Sequence, residues 1–471
     1  MEPDVVIIGA GIAGLACAVA LCDRGLRPLV LEREDIAGGR ARSWTDEATG
    51  DVVDIGPHIL LSEYPNMLQL LGQLGTREHV VWQRDKFITL ADPRRPVDVR
   101  LRRLPAPLHY LPSMLTMPQL SLRDLASGRR VIWRVLRLSP SDLRRLDGVD
   151  AETYLRRSGV SERFVDWFWR SSCMTIMNVP LQRCSAAALL QFIRFMIGKS
   201  GYFPGFAGIG LGDLFVPGAA RAIESAGGRV ALRTPVQAIE IADGAVRAVR
   251  LGDGSTISTG CCVAAVPPQD LVRLLPADLV QQRPFADAAR IEPSPYICSY
   301  LWFDRKLTRE RFWTRVWSPE NLNYDSYDLS NIRAGWRDRP SVIASNIIYS
   351  GHAAHLSDSQ IVEATLRELA EYLPQARRAA LRHWRVHRIA MARPAPYVGS
   401  EQLRPRAATP IRGLQIGGDW IDTGLPASME GAVRGGRLAA EAVLEGRGAA
   451  AAIALPPPAS DAVARLLGRA R

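Results

Sequence analysis

Short apolar runs alternate with helical stripes at the start of the chain. Val5-Val6-Ile7-Ile8 is an unbroken apolar run, the signature of a strand buried on both faces. Gly9-Ala10-Gly11-Ile12-Ala13-Gly14 follows, and an Ala- and Leu-rich helical pattern continues to Arg24. A second run, Pro28-Leu29-Val30-Leu31, ends at Glu32. This reads as a βαβ unit. Much further on, Phe215 to Ala226 reads as a helix ended by Gly227-Gly228, with Arg229 to Leu232 as a strand. Thr234–Glu240, Val246–Leu251 and Ser255–Ile257, with Gly-containing turns separating the later runs, predict a small antiparallel meander. Cys261 to Val266 is a buried strand closed by Pro267-Pro268. Leu414-Gln415-Ile416 is another, and a long helix opens within Gly424–Val433.

One sheet therefore collects strands from both ends and the middle of the chain. The predicted fold is α/β: a discontinuous Rossmann-like domain from 1–75, 206–270 and 406–445, with an α+β substrate domain inserted as 76–205 and 271–405. The first insert is rich in Leu, Arg and Trp at helical spacing. The second mixes strands, such as Ser299–Phe303, with a helix near Gln360–Tyr372. Ala449 to Pro458 is low-complexity Ala/Pro, and Asp461 to Arg469 reads as a short basic amphipathic helix, so 446–471 is expected to be a flexible basic tail.

Composition narrows the classes. With 471 residues, 47% hydrophobic and 23% charged, the chain can build two or three domains with real cores. The net charge of +11 is carried almost wholly by arginine; Lys86, Lys199 and Lys306 are the lysines. Scattered basic residues without a binding motif argue against nucleic acid and fit peripheral attraction to an anionic membrane surface. No apolar stretch reaches the roughly 18 residues of a spanning helix, and Asp4 interrupts any signal peptide. The expected location is cytoplasmic, on the inner face of the cell membrane. The seven cysteines form no C-x-x-C pair, and several sit in patterns that read as core. His352 and His355 form an H-x-x-H without acidic partners, so no metal site is expected.

The glycines between the first strand and helix carry candidate chemistry. Gly9 permits the tight turn, Gly11 lets a pyrophosphate approach the backbone, and Gly14 lets helix and strand pack closely. Ile12 and Ala13 open the helix, whose free N–H groups and positive dipole end favour phosphate. Glu32, followed by Arg33, can accept hydrogen bonds from ribose hydroxyls. A second glycine pair, Gly38-Gly39, precedes Arg40, which can pair with phosphate.

The glycine pair after the ribose-binding acid resembles the flavin amine oxidase superfamily, and Gly417-Gly418-Asp419-Trp420 agrees. The resemblance implies FAD as the bound cofactor, in a domain of the GR2/amine oxidase type. It implies that Gly418 and Asp419 contact the ribityl–pyrophosphate region and that Val236 touches the adenine. It also implies that Pro426, Ala427, Ser428 and Met429 bring a helix N-terminus to the isoalloxazine edge. Within the superfamily, Asp54-Ile55-Gly56-Pro57-His58 followed by Tyr64 resembles an element of bacterial hydroxysqualene dehydroxylases and of plant-type phytoene desaturases. Gly56 and Pro57 are counted with the cofactor contacts. Thr423 to Ala427 looks like the dehydroxylases; Tyr64-Pro65-Asn66-Met67 and Ser428-Met429 look like the desaturases.

The expected function is FAD-dependent chemistry on a long apolar isoprenoid: reductive dehydroxylation of hydroxysqualene to squalene, with phytoene desaturation as the alternative. The dehydroxylation needs an acid for the leaving hydroxyl, and His58 is the candidate; the other readings of His58 are an imidazole bonded to Asp54 or a cofactor contact. Trp167, Phe168, Trp169, Met174, Met177, Phe192, Phe195 and Met196 are candidate tunnel residues, or plain helical core. The apolar stretch Leu189 to Ile197 suits a buried wall or a membrane-dipping entrance. A different class, the amine oxidases, usually needs a lysine near the flavin; Lys306, after the strand Tyr300 to Phe303, is a candidate but reads better as a surface residue.

Overall fold

A computed structural model describes residues 2–92 and 95–468. Strands Val5–Ile8 and Pro28–Leu31 run parallel, joined by the helix Ile12–Cys22. Arg229–Ala231 lies outside Pro28–Leu31, and Cys262–Ala264 and Leu414–Ile416 extend the other side. All five strands are parallel, with Val5–Ile8 at the centre. Every residue of that central strand is buried, because helices cover both faces of a parallel sheet. Helix Ile12–Cys22 is buried from Ile12 to Leu21, since it lies against the long helix Met429–Gly446. The contact is at backbone distance. A Cβ on Gly436 would fall 2.1 Å from the Ala13 carbonyl oxygen, so no other residue fits there.

The expected meander forms as Val236–Ala242, Ala245–Leu251 and Thr256–Ser258. A seven-stranded sheet combines both inserts. Its order is Leu381–Pro394, Pro293–Phe303, Val342–Ile348, Asp325–Asp328, Phe312–Arg315, Ile88–Ala91, Val97–Val99. Helices of the first insert, among them Arg129–Leu136 and Ala186–Gly198, form a separate apolar core.

The segment expected to be a flexible tail makes specific contacts at several of its described residues. Leu455 and Asn66 exchange hydrogen bonds: the Leu455 N–H donates to Oδ1 at 2.9 Å, and Nδ2 donates to the Leu455 carbonyl at 3.0 Å. Asp461 accepts from the Ser200 N–H and hydroxyl, and Arg137 donates to the Leu467 carbonyl. The helix Ala462–Gly468 buries Ala464 against Arg129–Leu136. An Ala/Pro run has no core of its own, but its backbone groups find partners on two other elements. Arg469, the predicted end of this helix, lies outside the described residues.

Candidate active site

Two glycine turns meet at the carboxyl end of the central strand. Gly9 has φ +101°, and a Cβ on Gly14 would lie 2.0 Å from its carbonyl oxygen. Gly38, with φ +111°, donates its N–H to the Ala10 carbonyl at 2.8 Å. A Cβ on Gly39 would reach 3.2 Å from the Gly11 Cα, so the two turns touch. A Cβ on Gly11, by contrast, would meet nothing within 4 Å. The open space lies where the first N–H groups of the helix, those of Ile12 and Ala13, lack intrahelical partners. This cradle fits a pyrophosphate.

Glu32 stands at the end of the neighbouring strand. Its Oε2 accepts from the Ala10 N–H at 2.9 Å and its Oε1 from the Glu34 N–H at 3.1 Å. A carboxylate has about four acceptor positions, so capacity remains for ribose hydroxyls. Val236 begins its strand two residues after Thr234, whose N–H donates to the Glu32 carbonyl at 2.7 Å. Arg33 turns outward to Glu34 and Asp270. Arg40 and Asp419, read separately from sequence, are partners: Nη2 meets Oδ1 at 2.7 Å. Gly418, at φ +140°, immediately precedes that aspartate.

A cavity of about 540 Å³ starts beside this cradle. Its cofactor end holds His58, Tyr64 and Pro426 to Met429; its other end holds Leu108, Leu111, Leu125 and Ile132. Ser428 caps the helix Met429–Gly446 by accepting from the Gly431 N–H, so this helix starts on the cavity wall. Phe168, Trp169, Phe192, Phe195 and Met196 line the cavity as the helical pattern suggested. Trp167, Met174 and Met177 do not. Trp167 donates to Asp92, Met174 packs on Tyr324 and Ile348, and Met177 is helical core.

Most of the few polar wall groups have partners, although Arg393 Nε and Trp169 Nε1 have none among the described residues. Glu430 accepts from the Asn66 N–H and Nδ2 and from the Met67 N–H. Glu63 pairs with Lys199 at 2.8 Å. The Thr175 and Thr314 hydroxyls are 2.7 Å apart. Arg393 donates to the carbonyls of Ile176 and Ala427. A wall whose polar atoms are mostly paired presents a largely apolar interior, because unpaired buried polar groups are costly. The pairing of Thr175 with Thr314, and the place of Arg393, escaped the sequence. They are created by the meeting of a helix with strands far away in the chain.

His58 differs from its expected roles. Its Nδ1 lies 2.9 Å from the Gly56 carbonyl, not against Asp54. Burial lowers its pKa below the ordinary histidine value, so the ring is neutral at pH 7. A carbonyl only accepts, so Nδ1 carries the proton and Nε2 a lone pair. In this state the ring offers a lone pair at Nε2 rather than a proton. Asp54 is engaged elsewhere, with Ser43, the Leu211 N–H and Arg333.

Lys306 is also displaced. Its Nζ binds the Ser330 hydroxyl at 2.8 Å and the Arg337 carbonyl at 3.0 Å. Among the described residues, no lysine lines the cavity.

The family model of flavin-containing amine oxidoreductases matches residues 12–444. Among curated proteins, the chain is 29% identical over 461 residues to the 15-cis-phytoene desaturase of Solanum lycopersicum, covering 94% of this chain and 78% of that one. It is 29% identical to the 15-cis-phytoene desaturase of Synechococcus elongatus, covering 93% and 95%. Among solved structures, putrescine oxidase bound to putrescine superposes with a TM-score of 0.72 at 18% identity, covering 94% of this chain and 99% of that one. That last likeness is one of fold.

Proposed function

Since the chain belongs to the flavin-containing amine oxidoreductase family and is an FAD-dependent oxidoreductase, we propose that it desaturates a long polyene isoprenoid of the phytoene type. The observation that carries this reading is the apolar cavity running from the FAD cradle to the surface. Its similarity to phytoene desaturases supports the direction of reaction. So does His58. Dehydroxylation of hydroxysqualene needs a proton donor beside the leaving hydroxyl, and a neutral imidazole with Nδ1 tied to Gly56 is a poor one. FAD, when bound, is the acceptor for two electrons and one proton from a C–H bond. The chain's own work is to hold the cofactor at Gly11, Glu32 and Asp419, to align the polyene along Phe168, Trp169 and Phe192, and to exclude water.

Anaerobic mixing of the oxidised holoenzyme with phytoene in liposomes should bleach the flavin. An unbleached flavin, together with squalene formed from hydroxysqualene by the reduced enzyme, would transfer the assignment to the dehydroxylases.

A hydrocarbon substrate resides in the bilayer, so the cavity's outer end is the expected docking face. Leu108, Leu111, Leu115, Leu122 and Trp133 are exposed there, Leu122 by 70%. Arg102, Arg103, Arg123, Arg129 and Arg130 are exposed among them. No helix among the described residues is long and apolar enough to cross a membrane, so the proposal is peripheral attachment. The protein should co-sediment with anionic liposomes, less so as salt screens the arginines beyond about 8 Å. Leu111→Glu/Leu115→Glu should weaken this by about tenfold or more, since each leucine contributes roughly 1.5–3 kcal/mol on burial. Equal sedimentation of variant and parent would place the contact elsewhere.

A further inference from the structure

Desaturation releases a proton inside an apolar cavity, and something must take it. We propose that Asp325 is the acceptor, reached through the hydroxyls of Thr314 and Thr175 on the cavity wall. The proposal rests on the desaturation reading above.

Thr314 and Asp325 are directly opposite in an antiparallel pair, strands Phe312–Arg315 and Asp325–Asp328. Opposed residues share one face of a sheet, with Cβ atoms roughly 5 Å apart. The register sets the Thr314 side chain beside the Asp325 carboxyl, and the Thr314 hydroxyl meets the Thr175 hydroxyl at 2.7 Å. Both threonines line the cavity; Asp325 sits behind them, 6% exposed. Its Oδ1 has no hydrogen-bond partner, and no arginine or lysine forms an ion pair with it among the described residues. An unpaired buried carboxyl is costly as an anion, and burial pushes its pKa from 3.8 up to about 7. Such a group is ready to exchange a proton near neutral pH.

Tyr327 on the same strand and Tyr296 on Pro293–Phe303 interact with Asp325, and burial holds both phenols neutral well above the working range. Asn346 is the residue opposite Asp325 on the other neighbouring strand and does not titrate. Arg393 acts on Tyr296.

In the reaction, one C–H bond breaks with its hydrogen and electron pair leaving to the flavin. The adjacent C–H bond breaks heterolytically. Its electron pair becomes the new π bond, and its proton moves to a threonine hydroxyl, which passes its own proton on to the Asp325 carboxylate. One carboxylate becomes one carboxylic acid, and the charges balance. His58, with its free Nε2 at the cofactor end, is the competing acceptor.

The test uses FAD-loaded enzyme, phytoene liposomes and stopped-flow flavin reduction across pH. In the parent, the rate should rise through about pH 7 as Asp325 ionises. Asp325→Asn should cost roughly 10²-fold or more, the scale of a lost acid–base group, and flatten that limb. Thr314→Val, of nearly the same shape, should flatten it too while keeping flavin content. A second reading needs no turnover. The folded state binds the Asp325 proton more tightly than the unfolded chain, so parent stability falls as pH climbs from about 4 through about 7. Asp325→Asn lacks this loss, and its melting temperature should gain on the parent between about pH 4 and about pH 7 and level off above. An Asp325→Asn enzyme with parental rate and pH profile overturns the proposal alone. Loss of the limb in His58→Gln but not in Asp325→Asn reassigns the acceptor to His58 and also overturns it. A parent enzyme that phytoene does not reduce at any pH overturns the desaturation reading, and this proposal with it.

Discussion

Gly11→Val should give a folded protein without flavin. The two glycines of the turn, Gly11 and Gly14, make the argument sharp because they respond oppositely to a side chain. At Gly11 φ is −71°, open to any residue, and an added Cβ meets no protein atom within 4 Å. The cost to the apo fold is that of a poor helix N-cap, about 1 kcal/mol. The space it fills is the space a pyrophosphate needs. Displacing the phosphates from two helix N–H groups removes two hydrogen bonds to charge, roughly 1.5–3 kcal/mol each, or about 10²- to 10⁴-fold in affinity. At Gly14 the same substitution drives a carbon to 2.0 Å from the Gly9 carbonyl oxygen, which only a backbone shift relieves. Gly14→Val should therefore fail to fold. Flavin absorbance after purification separates the cases, with circular dichroism reporting the fold. A yellow Gly11→Val protein would mean that the cofactor approaches elsewhere.

What was legible in the sequence follows from the range of the interactions involved. The turn Gly9–Gly14 is local, so its glycines and the flanking apolar runs are readable without a fold. The same holds for the strand ending at Asp419 and for the meander after Val236. The seven-stranded sheet was visible only in fragments, because Ile88–Ala91 finds its parallel partner Phe312–Arg315 across nearly half the chain. Side-chain pairs that form across such distances are not legible locally. Arg40 and Asp419 each carry a reading of their own in the sequence, but nothing there says that they form one ion pair. Asp54 was grouped with His58 by spacing, although the two side chains take different partners. Asp325 carried no signal, since its burial comes from strands brought beside it by the fold. The tail misled for the opposite reason. Its composition says little about order, and its anchors, Asn66, Ser200 and Arg137, belong to other elements.

Asp54 supports a second large effect, on stability. It lies in the sequence element that resembles the isoprenoid enzymes, but its carboxylate works as a junction. Oδ1 accepts from the Ser43 hydroxyl at 2.6 Å and the Leu211 N–H at 2.8 Å; Oδ2 accepts from Arg333 Nη2 at 2.6 Å. Arg333 also donates to the Ala207 carbonyl at 3.1 Å. The two side chains are 3% and 4% exposed, so water does not screen the pair. A buried ion pair adds little over a well-packed apolar pair, but breaking it strands a charge. Arg333→Met fills much of the same volume and leaves the Asp54 carboxylate with neutral donors alone. The expected loss is about 3–5 kcal/mol, a large share of a typical folding free energy. Asp54→Asn/Arg333→Met removes both charges and should lose less than the sum of the two single variants, the mark of direct coupling. Chemical denaturation of the four proteins measures this cycle. Additive losses, or an Arg333→Met protein as stable as the parent, would show that the junction is held by Ser43 and Leu211 without the arginine.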